Sequence, residues 1–304
     1  MINPCYKTLK FNKMNQKYEH YYVPEQSPWP IVGAVALFFI AVGAALTVMD
    51  MGKEGGNGVY LLYVGIAVLL YMLFSWFKNV IHESDQGLYS AQMDRSFRQG
   101  MSWFIFSEVM FFAAFFGALY YARTLSVPWL AGEGSNAMTG AVLWPEFQAT
   151  WPLIKTPAGL ETQGMGWFGL PLINTLLLLT SSVTLHIAHV ALENNQREKL
   201  KIFLGLTILL GLVFLVLQVE EYIHAYQELN LRLDSGIYGS TFFMLTGFHG
   251  MHVTLGTIML IAVFFRVLKG HFTPTNHFGF QAASWYWHFV DVVWVLLFLF
   301  VYIL

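Results

Sequence analysis

Met101–Arg123 reads MSWFIFSEVMFFAAFFGALYYAR, an apolar run with one carboxylate, Glu108, inside it. A bilayer's hydrocarbon core is about 30 Å thick, and a helix needs about 20 mostly apolar residues to cross it. The run is long enough, so it is predicted to be a membrane span. An ionisable side chain at the bilayer centre costs at least about 2.5–3.5 kcal/mol. Glu108 is followed by Val-Met-Phe-Phe-Ala-Ala-Phe-Phe, so its own segment holds no group able to offset that cost. Either Glu108 carries a proton, or another helix, a lipid headgroup or water meets it.

The surrounding composition agrees with a membrane setting. Of 304 residues, 56% are hydrophobic and only 11% charged, against about 25% charged in a soluble domain. The net charge of -2 gives no reason to expect nucleic-acid binding. The single cysteine, Cys5, excludes an intrachain disulfide and a paired-cysteine metal site. No cleavable signal peptide is expected, because Lys7, Lys10, Lys13 and Lys17 lead into a polar, proline-containing stretch.

Seven segments read as transmembrane helices: Ile31–Met49, Gly58–Phe77, Met101–Arg123, Gly169–Leu192, Ile202–Tyr222, Gly239–Phe265 and Ala282–Ile303. The expected organisation is all-α, with a cytoplasmic segment over 1–30 and a seven-helix domain over 31–304. Lys and Arg concentrate on the cytoplasmic side of membrane proteins. With the N-terminus inside, 12 of the chain's 16 basic residues fall on inner regions, and Lys53, Arg123, Lys155 and Arg232 fall outside. The N-terminus is therefore expected inside and the C-terminus outside. The longest outer connection, 124–168, carries Trp129, Trp144, Trp151 and Trp167. Interfacial aromatics of this kind suit a lid lying on the outer surface.

Histidine is the first candidate for chemistry. His186 and His189 stand at i, i+3 on the fourth span, and His249 and His252 repeat the spacing on the sixth. Such pairs share a helix face, and imidazole is the commonest transition-metal ligand, so a self-contained membrane metalloenzyme is one reading. Histidines that hydrogen-bond between helices are the other. Thr246, Gly250 and Thr254 form a four-residue ladder of small side chains, with Gly247 and Gly256 adding to the smooth surface, expected to admit a close neighbour. His288 and Asp291 are placed to satisfy one another or to pass a proton. Glu220 and Glu221, at the outer end of the fifth span, read as interfacial charges. His82 and Glu83 after the second span, and Arg266, Lys269 and His271 after the sixth, suit phospholipid headgroups or a plain positive-inside anchor.

In combination, the chain resembles subunit III of the haem-copper cytochrome c oxidases. The likeness is carried by SPWP at Ser27–Pro30, WFKNVIHES after the second span, and FIFSEVMFF around Glu108. It continues in PLINTLLLLTSSVTLHIAH, in LQVEEY at Leu217–Tyr222, and in IYGSTFFMLTGFHGMHV at Ile237–Val253. HFGFQAASWYWHFVDVVW at His277–Trp294 is its most specific part. The resemblance implies a two-helix and a five-helix bundle around a phospholipid-holding cleft. It implies a non-catalytic subunit, with haem and copper in subunits I and II and cytochrome c as electron donor to the complex. The subunit would support proton uptake by subunit I during aerobic respiration. No catalytic or metal-ligating residue is implied in this chain. Glu108 matches the family's buried, carbodiimide-reactive carboxylate, and Glu83 and Arg266, with Trp76 and Lys269 nearby, match its lipid positions. His82 departs from the arginine common in the family. The long outer loop points to a bacterial form in the inner membrane. The first two spans favour the cytochrome c type over the quinol type, which usually has fewer helices.

Overall fold

The computed structural model describes residues 22–23, 26–51, 56–157 and 159–304. Cys5, Lys7, Lys10, Lys13, Lys17 and Lys53 lie outside the described residues. Each of the seven spans is a helix: α1 Trp29–Met49, α2 Gly58–Asp85 and α3 Ala91–Tyr121. A short helix α4, Val127–Leu130, follows in the long connection. The remaining spans are α5 Leu170–Glu193, α6 Arg197–Gln227, α7 Ile237–Leu268 and α8 Phe278–Leu297, the last continuing as a π turn to Ile303. All seven are long and apolar enough to cross a bilayer, and there is no β-strand among the described residues. The protein is an all-α polytopic membrane protein.

Several helices outrun their apolar windows. α2 continues through Lys78–Asp85, and α3 begins at Ala91, well before Met101. A hydropathy window stops with the apolar side chains, whereas the backbone ladder continues until something ends it. Gly87 and Gly270, one residue past the caps of α2 and α7, do so with φ of 70° and 77°, the left-handed geometry that favours glycine after a helix.

The chain divides into two compact units that meet in sequence between Phe97 and Arg98. In the first, α1 and α2 pack through glycine. A Cβ on Gly65 would lie 2.7 Å from the Ile40 backbone nitrogen. Cβ atoms on Gly43 and Gly58 would meet the backbones of Leu62 and Thr47 even more closely. Lipid tails are as apolar as leucine, so helices in a membrane associate by such close packing and not by exclusion of water. Gly43→Leu is expected to force α1 and α2 apart and to cost about 1–3 kcal/mol. Lowered resistance of the purified chain to denaturing detergent would register it. An unchanged midpoint would show that the helices do not depend on this approach.

The second unit holds the other spans, with α8 at its centre. Trp287, Val290, Trp294 and Leu297 are fully buried. On α5 the inward stripe runs Asn174, Leu178, Ser181, Leu185, Ala188 and Leu192, steps of three and four that keep to one face. The indole N–H groups of Trp287 and Trp294 donate to Ser181 Oγ and Thr175 Oγ1 on α5, at 2.9 and 3.0 Å. Outward faces remain apolar, for example Phe104, Ile202, Val216 and Ile258, as expected of a surface that meets lipid or another membrane protein.

In the long connection, the stretch from Trp151 to Met165 lies against the start of α7. The Met165 N–H donates to the Tyr238 hydroxyl at 3.2 Å, and the Trp151 ring stands edge-on to Tyr238. Gln163 N–H donates to the Leu229 carbonyl between α6 and α7.

Candidate functional site

The group that meets Glu108 is on α7. Glu108 Oε2 lies 2.8 Å from His252 Nε2, with the imidazole side chain 5% and the carboxylate 22% exposed. His252 Nδ1 lies 2.7 Å from the Phe248 carbonyl one turn earlier. A carbonyl only accepts, so Nδ1 carries a proton and donates it. Nε2 then has two choices: it accepts from a protonated carboxyl, or it donates as an imidazolium to a carboxylate. Either way one proton lies between the two side chains and the pair is neutral overall. That neutrality is how the bundle tolerates an ionisable group in α3.

Aromatic rings enclose the pair. Phe112 stands edge-on to His252 at 5.0 Å, and Tyr286 of α8 stacks on its other side at 6.3 Å. Phe111 packs on Phe248 at 5.0 Å beside it. Spacing within one span cannot reveal such a partner. The apolar windows also misplace its depth, putting Glu108 near the start of its segment and His252 near the middle of its own. The true helix ends restore the match: seventeen residues separate Ala91 from Glu108, and sixteen separate His252 from Leu268.

The other polar residues part company with their sequence readings at several points. His249 is fully buried between the rings of Phe214 and Trp294, and neither ring nitrogen has a protein partner. His186 and His189 join His249 and His252 in no group of three or more potential metal ligands among the described residues. His288 Nδ1 and the Ser182 hydroxyl share a close hydrogen bond, at 2.6 Å, while Asp291 stands 3.9 Å away. The expected pairing is thus displaced by a hydroxyl one helix away. Glu221 is not an interfacial charge: it is 1% exposed and accepts from the Tyr302 hydroxyl at 2.6 Å. Helix α6 extends five residues past the apolar window, which buries the face that carries Glu221 and leaves Glu220 outside. The small-residue surface of α7 holds at some positions and not at others. Thr246 is buried and bonds the Tyr222 hydroxyl, but Thr254 is exposed and a Cβ on Gly250 would meet nothing. Gly256 does admit a close neighbour, Trp287, which Gly211 of α6 meets as well.

The residues singled out for lipid occupy two helices. On α2, Trp76 is exposed and stacks on Phe77 at 5.5 Å, while Glu83 accepts a 2.8 Å hydrogen bond from the Tyr89 hydroxyl. Burial, reinforced by the neighbouring Glu83 carboxylate, pushes the Tyr89 hydroxyl above its ordinary pKa, so it remains a donor. At the end of α7, the Arg266 guanidinium lies 4.4 Å over the Phe272 ring, and Lys269 is the exposed capping residue.

The fold and this site define a polytopic helical membrane protein with a neutral carboxylate–imidazole pair inside its larger unit. Residues 19–304 match the family model described as cytochrome c oxidase subunit III, and the chain belongs to that family. Among similar proteins is cytochrome c oxidase subunit 3 of Latimeria chalumnae, 39% identical over 283 residues, covering 93% of this chain and 96% of that one. The proteins of the same name from Neotragus moschatus and Bos taurus are 38% and 37% identical over 290 residues, covering 95% of this chain and 98% of theirs.

Proposed function

We propose that this chain is a non-catalytic subunit of a proton-pumping cytochrome c oxidase in a bacterial inner membrane. Its N-terminus is cytoplasmic and its C-terminus periplasmic, and the long connection over 124–168 lies outside. It binds subunits I and II, which hold the haem and copper, and cytochrome c donates electrons to the assembly. It supports proton uptake by subunit I and holds structural phospholipid. Trp76, Glu83, Arg266 and Lys269 contribute to headgroup binding.

The observation that carries this reading is the Glu108–His252 pair. Of the four histidines an independent metal centre would use, one is occupied by a carboxylate. A second, His249, is walled in by Phe214 and Trp294. Membership of an oxidase-subunit family supports the same reading. The apolar outward faces of the spans suit both lipid and a membrane-embedded partner.

Purification of the tagged chain in mild detergent tests this. A haem-copper core, read from its absorption spectrum and copper content, is expected to co-elute together with phospholipid. Elution of the folded chain without haem from membranes that contain the oxidase would overturn the subunit reading. Glu83→Ala and Arg266→Ala are expected to lower bound phospholipid while leaving the haem in place.

A further inference from the structure

The end of the second unit where α5 stops and α8 starts gathers three potential ligands from two separate stretches of chain. His189 and Glu193 stand one turn apart at the end of α5, and His277 is the residue immediately before α8. One ligand atom from each lies within 4.8 Å of the others. We propose that His189, Glu193 and His277 form a binding site for a divalent transition-metal ion of the Zn2+ class. The site is separate from the Glu108–His252 pair and does not depend on the oxidase reading.

Three observations favour an ion over a chance meeting of side chains. His189 Nε2 is buried without a hydrogen-bond partner, because the Glu193 carboxylate is 3.8 Å away. A buried ring nitrogen left unpaired is unfavourable, and an ion between it and the carboxylate would satisfy both. His277 is already oriented as a ligand. Its Nδ1 lies 3.1 Å from the Thr273 carbonyl, so Nδ1 donates there and Nε2 keeps its lone pair. This is the outer hydrogen bond that sets the tautomer of metal-bound histidines. The enclosure is also firm: Phe280 packs on His189 at 5.5 Å, and Arg197 Nη2 donates to the Phe272 carbonyl at 2.7 Å, tying α6 to the α7–α8 connection.

Two imidazoles and one carboxylate are a donor set that zinc takes with its remaining position open to water. With bonds of about 2.0–2.1 Å, neighbouring corners of a tetrahedron lie about 3.3 Å apart. The three side chains, within 4.8 Å of one another, therefore close by at most about 1.5 Å on binding, and the exposed Glu193 carboxylate is free to swing. Occupancy would pin the start of α8 to the end of α5. Magnesium and calcium prefer oxygen-only shells, so this site is expected to discriminate against them.

The test uses the full-length chain purified on a tag without histidine, stripped with chelator and titrated with Co2+, followed by Zn2+ in competition. One Co2+ per chain with a tetrahedral absorption band, displaced by Zn2+ and not by Mg2+, is expected. His189→Ala, His277→Ala and Glu193→Gln are each expected to weaken it at least tenfold, while His186→Ala, one turn away on the same helix, leaves it unchanged. No uptake by the folded wild-type chain, or equal affinity in all four variants, overturns the proposal. Should a histidine variant fail to fold, Glu193→Gln decides alone, because its carboxylate is exposed and takes no part in the core.

Discussion

Trp287→Ala is expected to destabilise the second unit by about 3–5 kcal/mol, in the range for removing a large buried aromatic. The side chain is fully buried, and one residue of α8 touches three other helices. Its ring fills the space left by Gly211 on α6 and Gly256 on α7, where added Cβ atoms would lie 2.6 and 2.9 Å from it. Its N–H reaches Ser181 on α5. Truncation leaves a cavity that two glycines cannot collapse into and a serine hydroxyl without its donor. Trp287→Phe keeps most of the volume and loses the hydrogen bond, so it should cost clearly less. Gly256→Leu should be damaging from the opposite direction, by overfilling the same space. Unfolding midpoints in mixed detergent micelles measure all three. A loss below about 1 kcal/mol for Trp287→Ala would mean that α8 is not held by this contact.

Glu108 and His252 give the second large effect, and its signature is the difference between two substitutions. Glu108→Ala removes the partner of a nearly buried imidazole and is expected to cost about 1–3 kcal/mol. The carboxylate's partial exposure keeps this below the loss for a fully buried ion pair. Glu108→Gln should cost far less, because His252 keeps Nδ1–H on the Phe248 carbonyl and its Nε2 lone pair accepts from the amide. His252→Leu leaves the carboxyl facing apolar surroundings and should match or exceed Glu108→Ala. A double-mutant cycle on Glu108→Ala and His252→Leu should return a coupling of about 1–3 kcal/mol. Equal losses for Ala and Gln, or a cycle that sums to zero, would remove the shared proton from the account of this site.

The same residues show how far the sequence could be read. All seven spans were legible because crossing a bilayer demands an uninterrupted apolar run, a requirement written one residue after another. Helix ends were less so. Gly87 and Gly270 stop α2 and α7 beyond the apolar windows, and the polar turns before them are helical because nothing in them breaks the ladder. The isolation of Glu108 was visible, but its partner was not. His252 lies 144 residues away; its spacing to His249 allowed either a metal centre or a hydrogen bond between helices, and the second reading holds for His252 without the sequence naming its partner. The three-residue step that places two histidines on one face also lets them turn to different neighbours, His252 to α3 and His249 to Phe214 and Trp294.

What the sequence determined by itself is that this chain is a seven-span, all-α membrane protein with an ionisable group where lipid tails would not accept one. Its ordered motifs also pointed to the subunit III family. The tertiary structure alone decided which histidine neutralises Glu108 and which glycines admit Trp287. It also decided that Glu221 is interior and that His277 comes to His189. The physical reason is range. Apolar length and helix-ending glycines act locally along the chain, whereas a shared proton, a ring between two glycines and a set of ligands depend on which helices become neighbours.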